Sequence, residues 1–175
     1  MATDWLAAAI AVQAEFDQWF WSSRLGGYEN TAQDHSDRLL IRERTYQDSA
    51  TPAANGIAVT NLVKLSLLSA ELNYLDRAEK ILQAFSAVMT QAPRACPSLL
   101  TGLDSYYHPT LVRSGDRVLR SLLPEFWPNC VYQLEAQLPN DSVGIVCQGL
   151  ACQAPAASLT ALRQQLAASI LHPVA

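Results

Sequence analysis

Two apolar segments separated by only a few residues constrain this chain more than any other feature of its sequence. In the first segment Ala58, Leu62, Leu65 and Leu72 recur at the spacing of one helical face. The second segment repeats apolar residues at alternating intervals of three and four, at Leu75, Ala78, Leu82, Phe85 and Met89. Because a link of two or three residues forces consecutive helices to run antiparallel, the pair predicts a helical hairpin.

Further helices are predicted on both sides of this hairpin. The N-terminal segment places apolar residues on one helical face, at Trp5, Ala9, Val12, Phe16 and Phe20. Two more helices are predicted for 98–107 and 158–170. Between the first helix and the hairpin lies a polar loop, 26–55, that opens with Gly26-Gly27 and contains a short predicted strand at 39–46.

The character of the sequence changes after Pro109. Two short β-like runs, Cys130–Leu134 and Val143–Cys147, are separated by turn-forming residues, and we expect them to pair as a hairpin or to lie side by side. The sequence therefore predicts a mainly α fold, with helical hairpins in residues 1–109 and a small α+β tail in residues 110–175.

Charged side chains are concentrated in the loop just before the first helix of the hairpin. Asn55 is predicted to cap that helix, because an Asn side chain there accepts a hydrogen bond from a free backbone N–H. Arg42 or Arg44 paired with Asp48 would be a sufficient structural reason for the loop, and ligand binding is the alternative.

Composition excludes several classes of protein. Half of the 175 residues are hydrophobic and 16% are charged, which is ordinary for a globular protein and too apolar for a disordered one. A net charge of −4 without a basic stripe argues against a nucleic-acid surface. No run approaches the roughly 20 apolar residues that span a bilayer, and the N-terminus lacks the pattern of a signal peptide. We therefore expect a cytoplasmic protein with no membrane or nucleic-acid partner.

Four cysteines are few for a chain of this length, so a disulfide framework is not expected. Cys147 and Cys152 are five positions apart, which does not match the tight C-x2-C spacing of zinc sites. We predict structural thiols, no metal site and no cofactor.

Several stretches, taken in order along the chain, resemble the C-terminal end of the YyaL-type family. These are thioredoxin-domain-containing proteins that include the spermatogenesis-associated animal members. The stretches are GGYENTAQD, the segment from RERTYQDSATPAANG to KILQAFS, LLTGLDSYYHP and VCQGLACQAP. Where the family loop has Pro-Ser-Gly-Asn, this chain has Pro52-Ala53-Ala54-Asn55.

The resemblance implies an N-terminal thioredoxin-like domain followed by an α/α toroid similar to N-acylglucosamine epimerases and six-hairpin glycosidases. This chain has no room for the thioredoxin domain and would supply part of the toroid, whose other segments would be its partners. Inner loops of a toroid surround a central funnel that could bind carbohydrate. The ligand-binding candidates implied by this placement are Tyr28, Glu29, Arg42, Asp48 and Asn55.

Chemistry at such a funnel would need further groups. Glu29 and Asp48 could act as an acid/base pair only if held roughly 5–10 Å apart. An epimerase would use histidine, and His35 and His108 are the two near predicted loops. Each also has a structural interpretation, as a solvated loop residue for His35 and a helix end for His108.

Two functional classes follow from these observations. The chain is either part of a carbohydrate-binding or carbohydrate-acting toroid, or a helical interaction module without catalysis. In the second case apolar helix faces would be covered by the rest of a longer polypeptide or by self-association.

Overall fold

The structure, a computed structural model, describes residues 2–171, apart from the side chains of residues 2–4, 36–38 and 171. These residues form two compact units. The first consists of residues up to 66 and residues 70–106, and the second of residues 67–69 and those from 107 onward. About 55% of the chain is helical, so the prediction of a mainly α fold with a small β part is confirmed. The toroid stays a prediction.

The first unit is built from helices connected by the long polar loop. Its helices are α1 (Ala2–Phe20), α2 (Ala54–Ser69), α3 (Asn73–Ala84), α4 (Ser86–Gln91) and α5 (Pro97–Tyr107). Short 3-10 helices occupy Gln33–Arg38 and Pro93–Ala95. Only three residues connect α2 to α3, and Ala70 ends α2 in the left-handed conformation. The prediction that Leu72 continues the apolar face of α2 is therefore wrong, because Leu72 lies in this connection and is the N-cap of α3.

The start of α2 and the length of α3 differ from the sequence predictions. Ala53 occupies the N-cap position of α2 without a side-chain cap, so the prediction that Asn55 is the cap is wrong. Asn55 lies inside the first turn and is completely buried. The single helix predicted through Met89 is interrupted at Phe85. α3 ends just before this residue, and α4 begins just after it.

Glycine allows α2 and α5 to cross at very short range. A Cβ atom on Gly56 would lie 2.1 Å from Ser98 Oγ and 2.5 Å from the Ser98 carbonyl carbon. One on Gly102 would lie 2.9 Å from Val59 Cβ. Each helix therefore presents a glycine to the other, and no larger residue fits at either position without moving a backbone.

The second unit contains a four-stranded mixed sheet. Its strands are β1 (Thr110–Ser114), β2 (Cys130–Leu134), β3 (Gly144–Gln148) and β4 (Ala151–Cys152), in the order β2-β1-β3-β4. β1 pairs in parallel with β2 and antiparallel with β3, which pairs antiparallel with β4. Two helices accompany the sheet, α6 (Asp116–Leu122) and α7 (Leu159–Leu171).

Side chains of the central strands alternate between the two faces of this sheet, as the pleat requires. Val112 and Val146 face a cluster completed by α7 through Leu162 and Leu166. On the other face an apolar cluster forms from Leu111, Val131, Ile145 and Cys147. The sheet is therefore covered by apolar side chains on both sides.

The predicted strands are partly right. β2 has the predicted bounds and β3 is shifted by one residue, but the two do not pair, because β1 lies between them. The strand predicted for 39–46 is wrong, since none of those residues belongs to a strand in the structure. None of the helices within residues 2–171 has the length and apolar character needed to cross a bilayer.

Candidate functional site

Asn55 joins three parts of the polar loop through its buried side-chain amide. Its Oδ1 accepts a hydrogen bond from the backbone N–H of Tyr28 at 2.7 Å. Its Nδ2 donates to the carbonyl oxygens of Tyr28 at 3.0 Å and Thr45 at 2.9 Å. The amide thus satisfies both backbone groups of Tyr28, as a neighbouring β-strand would. Gly27 makes room for it, because a Cβ there would lie 2.8 Å from Asn55 Oδ1.

Tyr28 is a core residue and offers no surface to a ligand. Its ring stacks on Phe16 of α1 with centroids 4.1 Å apart and meets the edge of Trp21 at 5.2 Å. The phenol O–H donates to Asp17 Oδ1 and accepts from Gln13 Nε2. Burial and the Asp17 carboxylate both raise the pKa of Tyr28, so the phenol stays protonated and keeps donating.

Asp17 extends this network toward α3. Its Oδ2 lies 3.2 Å from Nε of Arg77, whose guanidinium also sits 4.9 Å from the centre of the Trp21 ring. Arg77 therefore combines an ion pair with a cation–π contact. The fold of this region is stabilised by Asp17, Gln13 and Arg77. None of the three was among the site residues predicted from the sequence.

Glu29 and Arg42 form a nearly buried ion pair. Arg42 Nη1 lies 2.5 Å from Glu29 Oε2, and the two side chains are only 18% and 10% exposed. Arg42 also donates to the Thr31 carbonyl through Nε and Nη2. Glu29 Oε2 receives no hydrogen bond from the described residues, so charge pairing alone holds that oxygen.

Arg44 binds backbone rather than a carboxylate. Its Nη1 donates to the carbonyl oxygens of Leu25 and Gly26, and its guanidinium lies 5.1 Å from the centre of the Phe85 ring. The predicted pairing of Arg42 or Arg44 with Asp48 is therefore wrong. Each arginine instead donates to backbone carbonyl groups of the same unit.

Asp48 binds two helix starts at once. Its Oδ1 accepts from the Ala53 N–H at 2.7 Å and from Ser98 Oγ at 2.6 Å, and its Oδ2 accepts from the Ser98 N–H at 2.6 Å. Ala53 precedes α2 and Ser98 is the second residue of α5. Partial burial opposes ionisation, but the hydrogen bonds from Ser98 and Ala53 prevail and lower the pKa of Asp48.

The two histidines predicted from the sequence belong to different units of the chain. His35 is exposed on the 3-10 helix Gln33–Arg38, with Asp34 as its charged neighbour at 3.9 Å. His108 is half-buried and belongs to the second unit. Across the part of the chain that the structure describes, no three His, Cys, Asp or Glu side chains converge on a position that could hold a metal ion.

The polar side chains of the loop hold the first unit together from within. Their polar atoms contact backbone groups or carboxylates of the same unit, as seen for Asn55, Asp48, Arg42 and Arg44. Such contacts satisfy buried donors and acceptors that would otherwise be costly to leave unpaired. Ser98 could have been found in the sequence, because it follows Pro97 at a predicted helix start, where free N–H groups need acceptors. Gln13 and Asp17 interrupt the apolar stripe of α1, which is also a readable signal.

Cys147 and Cys152 form a disulfide, so the prediction of structural thiols is wrong for this pair. The two residues lie opposite each other on β3 and β4. Sequence spacing could not show this, because the strand β4 was not predicted. Cys96 and Cys130 are free thiols, as expected.

One apolar surface of the first unit has no partner among the described residues. On α1 the predicted stripe is packed at Phe16, which contacts Phe20 and Tyr28, but it is open toward the N-terminus. There Trp5 is 78% and Val12 68% exposed, with Ala9 exposed between them. These three residues are called the α1 apolar face below.

These features define a mainly helical unit with an internally paired polar loop, joined in sequence to a small mixed-sheet unit. No protein-family model matches the chain. It is similar to spermatogenesis-associated protein 20 of Homo sapiens, with 27% identity over 196 residues that cover 97% of this chain and 24% of the relative. The rat and mouse proteins of the same name are 32% and 31% identical over 103 residues, which cover 59% of this chain and 13% of each relative. The chain thus corresponds to about a quarter of the human relative's length.

Proposed function

We propose that this chain is an assembly module, whose helical unit packs against further protein through the α1 apolar face and self-associates through the same face when the chain is isolated. The observation that carries the proposal is the exposure of Trp5 and Val12 on a stripe whose other half is packed. Burying a large apolar side chain contributes about 1.5–3 kcal/mol, which favours covering such a face with protein. The same interpretation accounts for the loop, whose polar groups are engaged within the unit.

The similarity to much longer relatives supports the same proposal. Because the aligned region is 24% of the human relative, helical surface that is open here would have ample chain to pack against in a protein of that size. We propose that α1–α5 correspond to part of an α/α toroid, as in YyaL-type proteins, and that a thioredoxin-like domain belongs to the same longer architecture. A cytoplasmic location is part of this proposal.

Substitution on the α1 apolar face tests the proposal. The chain carrying Trp5→Gln and Val12→Gln should sediment as a monomer of 19.1 kDa, whereas the unsubstituted chain should associate at micromolar concentration. The matched control carries Ala7→Gln and Ala14→Gln, at exposed positions elsewhere on the same helix. The control should associate like the unsubstituted chain.

Two results would contradict the proposal. One is a monomeric unsubstituted chain at concentrations up to the millimolar range. The other is equal loss of association in both double variants, which would mean that α1 stability, and not its apolar face, governs association.

Carbohydrate binding is a second candidate, favoured by one observation. Trp19 is 40% exposed, and its carbonyl oxygen accepts a 3.4 Å hydrogen bond from Arg42, which pairs with Glu29. An exposed tryptophan whose backbone is bonded to an arginine–glutamate pair brings together residue types found at many sugar sites. The candidate ranks second because Glu29 and Arg42 already form an ion pair with each other.

Titration with N-acetylglucosamine, followed by tryptophan fluorescence, tests the second candidate. Saturable quenching that disappears in Trp19→Ala but persists in Trp5→Gln would support it. The dissociation constant of a typical weak sugar site is on the order of millimolar. A spectrum that stays unchanged up to a sugar concentration about 50-fold above that value would exclude carbohydrate binding.

A further inference from the structure

The Cys147–Cys152 disulfide lies at the edge of the sheet in the second unit. It joins β3 to β4, a strand of two residues that ends the sheet order. The connecting turn contains Gly149, whose positive φ of 56° suits a tight reversal, and Leu150, which is 82% exposed. The bond is therefore placed at the surface of the unit.

The two sulfur-bearing residues have opposite environments. Cys147 is 3% exposed and packs in the apolar cluster with Leu111, Val131 and Ile145. Cys152 is exposed on the edge strand. An external thiolate approaching from water therefore meets Cys152 first, and attack on the sulfur of Cys147 is shielded by its neighbours.

The unit can accommodate both redox states of this pair. A free thiol at Cys147 would remain in an apolar cluster, where cysteine behaves as a small hydrophobic residue. The segment after β4 is also held by backbone hydrogen bonds, from Gln153 N to Val146 O at 2.9 Å and from Ala156 N to Gly144 O at 2.8 Å. Because the disulfide closes a loop with a sequence separation of only 5, it restrains the unfolded chain less than a disulfide across a long loop would.

The remaining thiols do not compete with this pair. Cys96 is completely buried, and burial together with the Asp48 charge raises its pKa. Burial also raises the pKa of Cys130 to about 12, so that it stays a protonated, unreactive thiol at neutral pH.

We propose that Cys147–Cys152 is a thiol–disulfide exchange site, which takes electrons from an external dithiol through the sulfur of Cys152. A thiolate of the dithiol attacks Cys152 Sγ and forms a mixed disulfide, while the bond between the two cysteines breaks. Cys147 leaves as a thiolate and takes a proton from water. The second thiol of the dithiol then attacks the dithiol's other sulfur, which is bonded to Cys152 in the mixed disulfide. This attack releases Cys152. The protein disulfide gains two electrons and two protons, and the dithiol becomes a disulfide.

Reduction kinetics of the folded chain test the exchange site. Dithiothreitol is added, samples are quenched with acid, and free thiols are counted by alkylation and mass spectrometry after unfolding. We expect two additional thiols to appear at a rate proportional to the dithiothreitol concentration and unaffected by low urea, with the far-ultraviolet circular dichroism unchanged. A rate that saturates with dithiothreitol and rises with urea would overturn the proposal, because reduction would then require global unfolding.

The direction of attack is tested with oxidised glutathione and two variants, each of which lacks one cysteine of the pair. Cys147→Ser leaves Cys152 free and should take up one glutathione per chain, about tenfold faster than Cys152→Ser, in which the free thiol is buried. Equal uptake by the two variants, or uptake only by Cys152→Ser, would contradict the assignment of Cys152 as the entry point. If Cys147→Ser does not fold, the reduction kinetics of the unsubstituted chain decide the proposal.

Discussion

At the scale of single residues, the polar loop is explained by hydrogen-bond satisfaction. Asn55 supplies one acceptor and two donors to backbone groups of Tyr28 and Thr45, and all of these contacts lie in or near the core. Residue types in the sequence identified Asn55 and Asp48 as important but assigned them the wrong partners. Partners such as Tyr28 and Ser98 lie 27 and 50 positions away, and pattern reasoning sees only local neighbours.

Replacing Asn55 with Asp should destabilise the first unit strongly. The side chain keeps its shape, but the Nδ2 donor becomes an oxygen that faces two carbonyl oxygens. We expect the free energy of unfolding to fall by about 2–4 kcal/mol, as measured by urea denaturation. Asn61→Asp, at an exposed position of the same helix, is the control and should change stability by less than about 0.5 kcal/mol. Equal effects at the two positions would contradict the role of Asn55.

Asp48 should make stability depend on acid pH. Its pKa is lower in the folded chain, so its stabilising contribution is complete above the ordinary Asp value of about 3.9 and is lost as the pH falls through the folded value. We expect Asp48→Asn to cost about 1–2 kcal/mol at pH 7. It should also flatten the loss of stability below about pH 4.

Thermal or urea unfolding at a series of pH values measures this effect. Asp34→Asn changes an exposed carboxylate on the 3-10 helix Gln33–Arg38 and serves as the control. Its loss of stability at acid pH should equal that of the unsubstituted chain. If stability plotted against pH ran parallel for Asp48→Asn and the unsubstituted chain, the charge of the Asp48 carboxylate would not contribute to stability.

At the scale of elements, helical periodicity predicted most helices, while contacts decided their limits. The segments of α5 and α7 were predicted within one residue at each end, because their apolar spacing is regular and Pro97 marks the start of α5. β1 and α6 were missed, since both are short and follow one another with a single glycine between them. The order of the sheet could not be predicted, because a parallel neighbour leaves no local turn signal.

The crossing of α2 and α5 should be intolerant of a single methyl group. Alanine is a better helix former than glycine by about 1 kcal/mol, so Gly56→Ala would be stabilising in an isolated helix. In the folded chain the new Cβ would meet the Ser98 backbone at 2.5 Å. We therefore expect a net loss of about 1–3 kcal/mol in the free energy of unfolding.

Gly115→Ala provides the comparison for this prediction. A Cβ at Gly115 meets nothing within 4 Å and its φ is negative, so the substitution should cost no more than about 1 kcal/mol, the loss expected for alanine at the N-cap of α6. A Gly56→Ala chain as stable as the unsubstituted one would mean that α2 and α5 can separate at no cost.

At the scale of the whole molecule, two observations point to assembly. The α1 apolar face is open among the described residues, and the aligned relatives are several times longer than this chain. The apolar stripe of α1 was predicted from the sequence in full. What the sequence could not show is that only part of the stripe is covered, because exposure depends on where other elements end.

Amide hydrogen exchange of α1 at increasing chain concentration tests the central claim most directly. If the α1 apolar face is an assembly surface, amides around Trp5, Ala9 and Val12 should exchange more slowly as the concentration rises, while those of the sheet unit keep their rates. Amides of α1 that exchange at the same rate from low micromolar to high micromolar concentration would contradict the account.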